Sequence, residues 1–404
     1  MGTPVDFDPF EPGFDAWPYD QYARLRDQDP VHWSDLLAGW VLTSYDDVTA
    51  VLRDHSVSSS LDGAKPSPVV DLHRTREGGA GNDGLTLVLQ DDPEHARLRK
   101  ALQAPFTARS IGLLRHSIEE RVDRTMSALA ERDEIELIAD LAYPLPVAVF
   151  CEMLGIPEEE GPRFREWTAA VAQSLDLVIS EDDHLRCIER IFEMEAYLAE
   201  AADEKRRHPT DDVLTQLVQV EVDGERLTPG ELVAQLVTLY VAGHEPTTAL
   251  IGNGMAALLA HPDQLQLLQH RPDLIPDAVQ ELLRYDGPNQ FVRRTVIEPL
   301  ALGAHDIDPG DVLYVGVGAA NHDLARWGAD ADVVRVDRPD ASQHVQFGGG
   351  VHHCLGAHLA RAQAEVAFTA LLTRLGGLEL AGEVTWSGRT TLRSVASVPL
   401  RLHR

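Results

Sequence analysis

FGGGVHHCLGAHLAR, residues 347–361, sets one thiol, Cys354, behind three glycines and two histidines and ahead of an apolar segment. The residues after it, LGAHLARAQAEVAFTALL, place apolar side chains at helical spacing and predict an amphipathic helix. The glycine-rich residues before it cannot be helix interior. Cys354 is therefore expected near a helix N-terminus, where free N–H groups and the helix dipole favour a thiolate. Glycines at 348, 349 and 350 permit positive φ and let a flat, bulky group lie against the backbone. A metal-ligating sulfur is one reading of these features. An inert buried thiol is a second. A zinc site from His352, His353, Cys354 and His358 is a third, although adjacent histidines make a single-centre geometry awkward. A phosphate loop fits less well, because His353 stands at the third glycine position of G-x-G-x-x-G.

Working outward, the chain has 404 residues, 44% of them hydrophobic, enough for a large core. Lys+Arg 35 against Asp+Glu 65 gives a formal net charge of −30, which argues against nucleic acid and anionic membrane as partners. Three scattered cysteines, Cys151, Cys187 and Cys354, make no disulfide framework, and a reducing cytoplasm is the expected setting. The first residues, MGTPVDFDPFEPGFD, lack an apolar signal core. The most apolar run, LVAQLVTLYVAG, is broken by His244, Glu245 and Pro246, so no membrane span is expected. Helical periodicity runs through PYDQYARLRDQDP, ARLRKALQAPF, SIEERVDRTMSALAERD, YPLPVAVFCEMLGIP and the long stretch 229–261. WVLTSYDDVTAVLRD reads as a short strand and then a helix. The other strand signals, FVRRTVI, DVLYVGVGAAN and SVPLRLHR, are short and late. Without a repeat or a long linker, residues 1–404 read as one mainly α unit with small β-sheets.

F-G-x-G-x-H-x-C-x-G, here Phe347, Gly348, Gly350, His352, Cys354 and Gly356, resembles the haem-binding signature of cytochromes P450. The resemblance implies the P450 fold, haem b with the Cys354 thiolate as axial iron ligand, and O2 as co-substrate. Three further segments carry it. In DAVQELLRYDGPNQFVRRTV, Glu281 and Arg284 resemble the family's E-x-x-R, a buried ion pair whose third member is Arg335 or, by preference, Arg338. Arg294, rather than its neighbour Arg293, stands where these proteins contact a haem propionate; a planar guanidinium suits a carboxylate. DDPEHARLRK is a plausible helix start in its own right. It also resembles D-P-P-E-H-x-x-L-R, which brings His95 and Arg99 to the propionates. In VAGHEPTTALIGNG, Ala242, Gly243 and Glu245 resemble A-G-x-[DE]-T-T, with Pro246 where the family usually has threonine. H-E-x-x-H is excluded there by Thr248. Pro246 has no N–H for the carbonyl of Ala242, leaving that carbonyl open to water, and Thr247 is the candidate replacement hydroxyl.

The expected activity is oxidation, foremost hydroxylation, of a medium-sized natural product in bacterial secondary metabolism. Two electrons would come one at a time from a ferredoxin-type partner. Oxidative coupling or ring formation without oxygen insertion is the alternative, raised by Pro246. Substrate-facing segments by resemblance are the loop 56–84 with Leu87 and Val88, the region around 169–179, Leu239, Asn289, Gln290, Val292, Val395 and Ala396. Arg97, Lys100 and Arg361 are the expected contacts for an acidic donor. A cytoplasmic monomer without nucleic-acid or membrane partners completes the expectation.

Overall fold

Thr228 begins the element that organises the molecule. Its hydroxyl accepts from the Glu231 N–H, the Glu231 carboxylate accepts from the Thr228 N–H, and Pro229 occupies the first helical position. The helix that follows runs unbroken from Pro229 to Ala260, about 48 Å at 1.5 Å per residue. It is buried on nearly every side, as an all-round apolar helix must be. The computed structural model describes residues 6–67, 69–72, 85–375 and 377–403.

Numbered in chain order, the principal helices are α1 (Tyr19–Gln28), α2 (Tyr45–Val51), α3 (Glu94–Leu102), α4 (Ala108–Leu129), α5 (Pro144–Leu154), α6 (Gly161–Ser174), α7 (Glu181–Arg207), α8 (Val213–Gln219), α9 (Pro229–Ala260), α10 (Pro262–His270), α11 (Ile275–Asp286) and α12 (Ala357–Arg374). Helix α9 packs against α5, α6, α7, α11 and α12. Helix α4 lays a stripe of Ile111, Ile118, Val122, Met126 and Leu129 into the same core, and α12 packs along it. Helix α7 suits its own dipole, with Glu181, Asp182 and Asp183 in the first turn and Lys205, Arg206 and Arg207 in the last.

The main sheet corrects the expectation that strands come late. Strands β1 (Val31–Ser34), β2 (Gly39–Leu42) and β3 (Val57–Ser58) join β5 (Phe291–Val296) and β6 (Val312–Gly316) in the order β1-β2-β6-β5-β3. β2 and β6 pair in parallel, Val41 opposite Tyr314; the other pairs are antiparallel. Of the early strands, β2 and the helix after it match the reading of WVLTSYDDVTAVLRD, whereas β1 and β3, four residues or fewer, carry no clear period. β6 also ends sooner than its apolar run suggests, with Val317–Ala320 turning helical. A smaller sheet pairs β7 (Gly377–Leu380), β8 (Pro399–His403) and β4 (Glu134–Glu136). Among the described residues no helix is long and apolar enough to cross a membrane.

Candidate functional site

Cys354 lies three residues before α12, on a loop set by two left-handed glycines, Gly348 at φ +67° and Gly350 at φ +61°. A Cβ on Gly350 would stand 2.6 Å from the carbonyl oxygen of Leu52, so this position admits only glycine without movement. Gly349 is extended (φ −159°), so the expected positive φ applies to two of the three glycines. The Cys354 N–H donates to the carbonyl of Phe347 at 2.8 Å, closing the loop. Burial pushes the thiol pKa up; the N–H groups of Gly356 and Ala357 and the guanidiniums of Arg99 and Arg361 oppose it and lose. The helix N-terminus alone therefore does not create a thiolate here, and a sulfur anion at this site calls for a bound cation. Among the described residues no three His, Cys, Asp or Glu side chains converge as metal ligands, which leaves the zinc reading without a ligand set.

Beside the loop, three remote segments meet. The rings of His95, on α3, and His352 lie 4.2 Å apart. His95 is buried, and neither ring nitrogen has a hydrogen-bond partner; Nδ1 stands 3.4 Å from a carboxylate oxygen of Asp92. His352 Nε2 pairs with the hydroxyl of Ser59 at 2.9 Å. Burial, then Arg294 and His95, push its pKa down to about 4. Burial lowers Arg294 to about 10, and Asp91 opposes that. Arg294 gives one terminal nitrogen to the carbonyl of Arg293 at 2.6 Å and has no carboxylate within ion-pair distance among the described residues. Along β5, Arg293 pairs opposite Tyr314 and Arg294 opposite Leu313, so the two side chains take opposite faces. A half-buried guanidinium without a carboxylate partner among the described residues, beside a buried imidazole that meets only Asp92, is a receptor for carboxylates, and haem propionates fit it. Arg99 sits differently from the other three: its terminal nitrogens donate to the carbonyls of Val351 at 3.0 Å and His353 at 2.8 Å, bracing the Cys354 loop.

Helix α9 supplies the complementary surface. Ala242 is exposed and Thr238, Gly243, Glu245 and Pro246 are half-buried, a stripe of access on an otherwise buried helix. Gly243 borders α5 as well, since a Cβ there would overlap the ring of Phe150. Pro246 leaves the helix continuous, and the Thr247 hydroxyl donates back to the carbonyl of Gly243 at 3.0 Å. Burial raises the Glu245 pKa, but the neighbouring His244, 3.4 Å away, and then Arg389 outweigh it and hold the carboxyl below its usual range.

The E-x-x-R pair is completely buried. Arg284 donates to Glu281 through Nε at 2.7 Å and Nη2 at 2.8 Å, and its Nη1 reaches the carbonyls of Asn321 and Ala331. The third member is Arg338, whose Nε stands 3.1 Å from both Glu281 oxygens. Arg335 offers Glu281 only its backbone N–H, while its side chain bonds Asp330.

The expected substrate residues divide. Leu87, Leu239 and Val395 are buried, Val292 is half-buried, and Val88 and Ala396 are exposed. Asn289 and Gln290 both bond to neighbouring residues. Asn289 is locked to Gln346 through its N–H and side-chain amide, and Gln290 is buried against Tyr19 and Gly287. Of the loop 56–84, residues 68 and 73–84 lie outside the described residues. On the proposed donor face Arg97 is engaged by Glu94 at 3.0 Å and by Glu231. Lys100 pairs with Asp223 at 2.8 Å, and Arg361 stacks over Phe347 at 5.5 Å with its Nη2 3.1 Å from His358. Sequence reasoning missed Ser59, His244 and Gln235. The last is buried on α9 and holds the backbone at Leu85 and Leu87. Local pattern carries no signal for such contacts.

Comparison with known proteins agrees with this geometry. Residues 39–376 match the family model described as Cytochrome P450. The chain is 35% identical to Cytochrome P450 107B1 of Saccharopolyspora erythraea, covering 99% of this chain and 98% of that protein. It is 37% identical to Cytochrome P450 monooxygenase PikC of Streptomyces venezuelae, covering 97% and 92%. Epothilone B-bound Cytochrome P450epoK superposes with a TM-score of 0.90 at 30% identity, covering 99% of this chain and 100% of that one.

Proposed function

The chain belongs to the cytochrome P450 family and is a monooxygenase, and from that premise we propose that it uses haem b and a ferredoxin-type donor to hydroxylate a medium-sized natural product in secondary metabolism. It acts as a single-domain cytoplasmic monomer in this reading. The observation that carries it is the pairing of the Cys354 loop with Arg294, which has no carboxylate partner among the described residues, and with His95, whose buried ring nitrogens have no hydrogen-bond partner there. When bound, a haem-thiolate iron supplies reductive activation of O2 and transfer of one oxygen atom to substrate.

Each residue has a task. Cys354 provides the thiolate, its charge tempered by the N–H groups of Gly356 and Ala357. Arg294, His95 and His352 hold the propionates, and Arg99 braces the loop that carries the sulfur. The turn around Gly348 and Gly350, with Phe347 beside it, would seat the backbone of the Cys354 loop against the haem. The accessible stripe of α9 at Ala242 and Gly243 borders the oxygen side, and Glu245 moves protons to it. Glu281, Arg284 and Arg338 pin the core beneath. Leu87, Val88, Leu239, Val292, Val395 and Ala396 give a largely apolar substrate wall that excludes water. The natural-product assignment draws on relatives named mycinamicin IV hydroxylase/epoxidase, nocardicin C N-oxygenase and a polyketide biosynthesis P450.

A second reading, oxidative coupling without oxygen insertion, is favoured by one feature: position 246 has no hydroxyl, and that of Thr247 is bonded to Gly243. Products formed under labelled O2 separate the two, because coupling leaves no label in product. The class itself is tested by the reduced, CO-treated spectrum. Wild-type protein should give a Soret band far to the red of a histidine-ligated haem, and Cys354→Ala should abolish it. A Cys354→Ala protein that keeps haem and band would refute the assignment.

A further inference from the structure

We infer that His244 and Glu245 share a single proton and store it for the oxygen side of α9, in place of the hydroxyl that Pro246 lacks. The destination of the proton rests on the monooxygenase reading above; the sharing is a property of the resting chain.

The geometry begins with the tautomer. His244 is fully buried, and its Nδ1 lies 2.7 Å from the carbonyl oxygen of Tyr240. A carbonyl only accepts, so Nδ1 carries hydrogen, and in the neutral ring Nε2 is a bare lone pair. Nε2 has no hydrogen-bond partner and stands 3.4 Å from Glu245 Oε1. Two bare acceptors held that close repel, whereas one proton between them converts repulsion into a charge-assisted contact. The proton resides on Nε2 beside a carboxylate, or on Oε1 beside a neutral ring. In passing, the N–H electron pair stays on the imidazole and an O–H bond forms on Glu245.

The surroundings limit the pair to one proton and point it outward. Tyr143 sets its ring edge-on to His244 at 5.8 Å with its buried hydroxyl unpartnered, and the Tyr240 ring stands edge-on at 5.2 Å. Arg165 covers the Tyr143 ring at 4.6 Å; Arg389 and Thr168 act on Glu245; Cys151 lies 3.7 Å from the Tyr240 hydroxyl. The two guanidiniums oppose a second positive charge. His244 faces away from the accessible stripe, and Glu245 stands between it and that stripe, three residues past Ala242. The Ala242 carbonyl, denied its helical donor by Pro246, is the acceptor waiting there. Thr247 is held by Gly243 and does not serve.

Nitrogen NMR of histidine-labelled holoenzyme in its diamagnetic ferrous–CO form tests the sharing. Nδ1 should bear a proton, Nε2 should show a shared one, and Glu245→Gln should return Nε2 to a bare acceptor. A bare Nε2 in wild-type protein, unmoved by Glu245→Gln, overturns the sharing. Supply is tested without substrate, by driving O2 reduction with NADPH, a surrogate ferredoxin and its reductase, and measuring hydrogen peroxide released per NADPH. His244→Asn keeps a donor for Tyr240 but carries no titrating proton; His244→Gln serves if it folds poorly. The water-forming share should fall about tenfold, less than for a group that touches the reacting atoms, with a larger solvent isotope effect. An unchanged share overturns the supply role. Loss of the red-shifted CO band in wild-type protein would instead strike the family-based reading and leave the NMR result standing.

Discussion

Replacing Glu281 with glutamine keeps the shape of the side chain and removes one charge from a site with no access to water. The carboxylate accepts from Arg284 Nε and Nη2, Arg338 Nε and the Arg335 N–H, at 2.7 to 3.1 Å. An amide offers one oxygen, so in either orientation its NH2 meets an arginine donor. Arg284 is then buried without a carboxylate partner, and Arg338 keeps only Asp330, at 3.3 Å. Breaking a buried pair by removing one partner costs about 3–5 kcal/mol, and the stranded Arg284 places Glu281→Gln in that range. Whole-protein stability is only about 5–15 kcal/mol, so the variant should fold poorly or lose haem on purification. The assay is the urea midpoint of the holoenzyme, followed by tryptophan fluorescence and by haem absorbance together, because a chain this long need not unfold in one step. Arg338→Leu should cost about as much, for the same reason. Arg335→Ala should stay within about 1 kcal/mol, since its ion pair with Asp330 is exposed and its backbone bond survives. A loss under about 1 kcal/mol for Glu281→Gln, or a larger loss for Arg335 than for Arg338, would refute the argument.

Acid stability should report on His344, which burial pushes down to about 3 while Gln280 and the Gln346 N–H bond its neutral ring. The folded form binds its proton later than the unfolded chain. The contribution is intact above pH 6.5, shrinks as pH falls, and is lost by about pH 3; at pH 4 the deficit is on the order of 3 kcal/mol. His344→Gln should flatten midpoint against pH in that window, and an unaltered curve would contradict it. Gly350→Ala should cost about 1–3 kcal/mol through left-handed strain and a clash with Leu52, read as faster haem loss. Gly112→Ala, on α4 with open space around its Cβ, is the matched control. Arg361→Glu should slow reduction by an acidic ferredoxin and weaken its salt dependence in stopped-flow measurements, Arg361 having no carboxylate partner among the described residues.

Much of the site could be read from local pattern because its chemistry is local. The loop from Phe347 to Gly356, the helix after it, the pair Glu281 and Arg284 one turn apart, and the long helix from Pro229 each depend on residues adjacent in the chain. Turn and helix geometry act over that range, so residue type and spacing determine them. Pro246 likewise announced its missing N–H from sequence alone.

Tertiary structure decided everything that depends on which remote segment arrives. It chose Arg338 over Arg335 and turned Asn289 and Gln290 into internal braces. It engaged Arg97 with Glu231 and set Ser59 against His352. It paired β2 in parallel with β6 across more than half of the chain. These outcomes follow from close packing and from the need to satisfy each buried polar group. Both conditions bind residues far apart in sequence, and neither leaves a period or a motif along the chain.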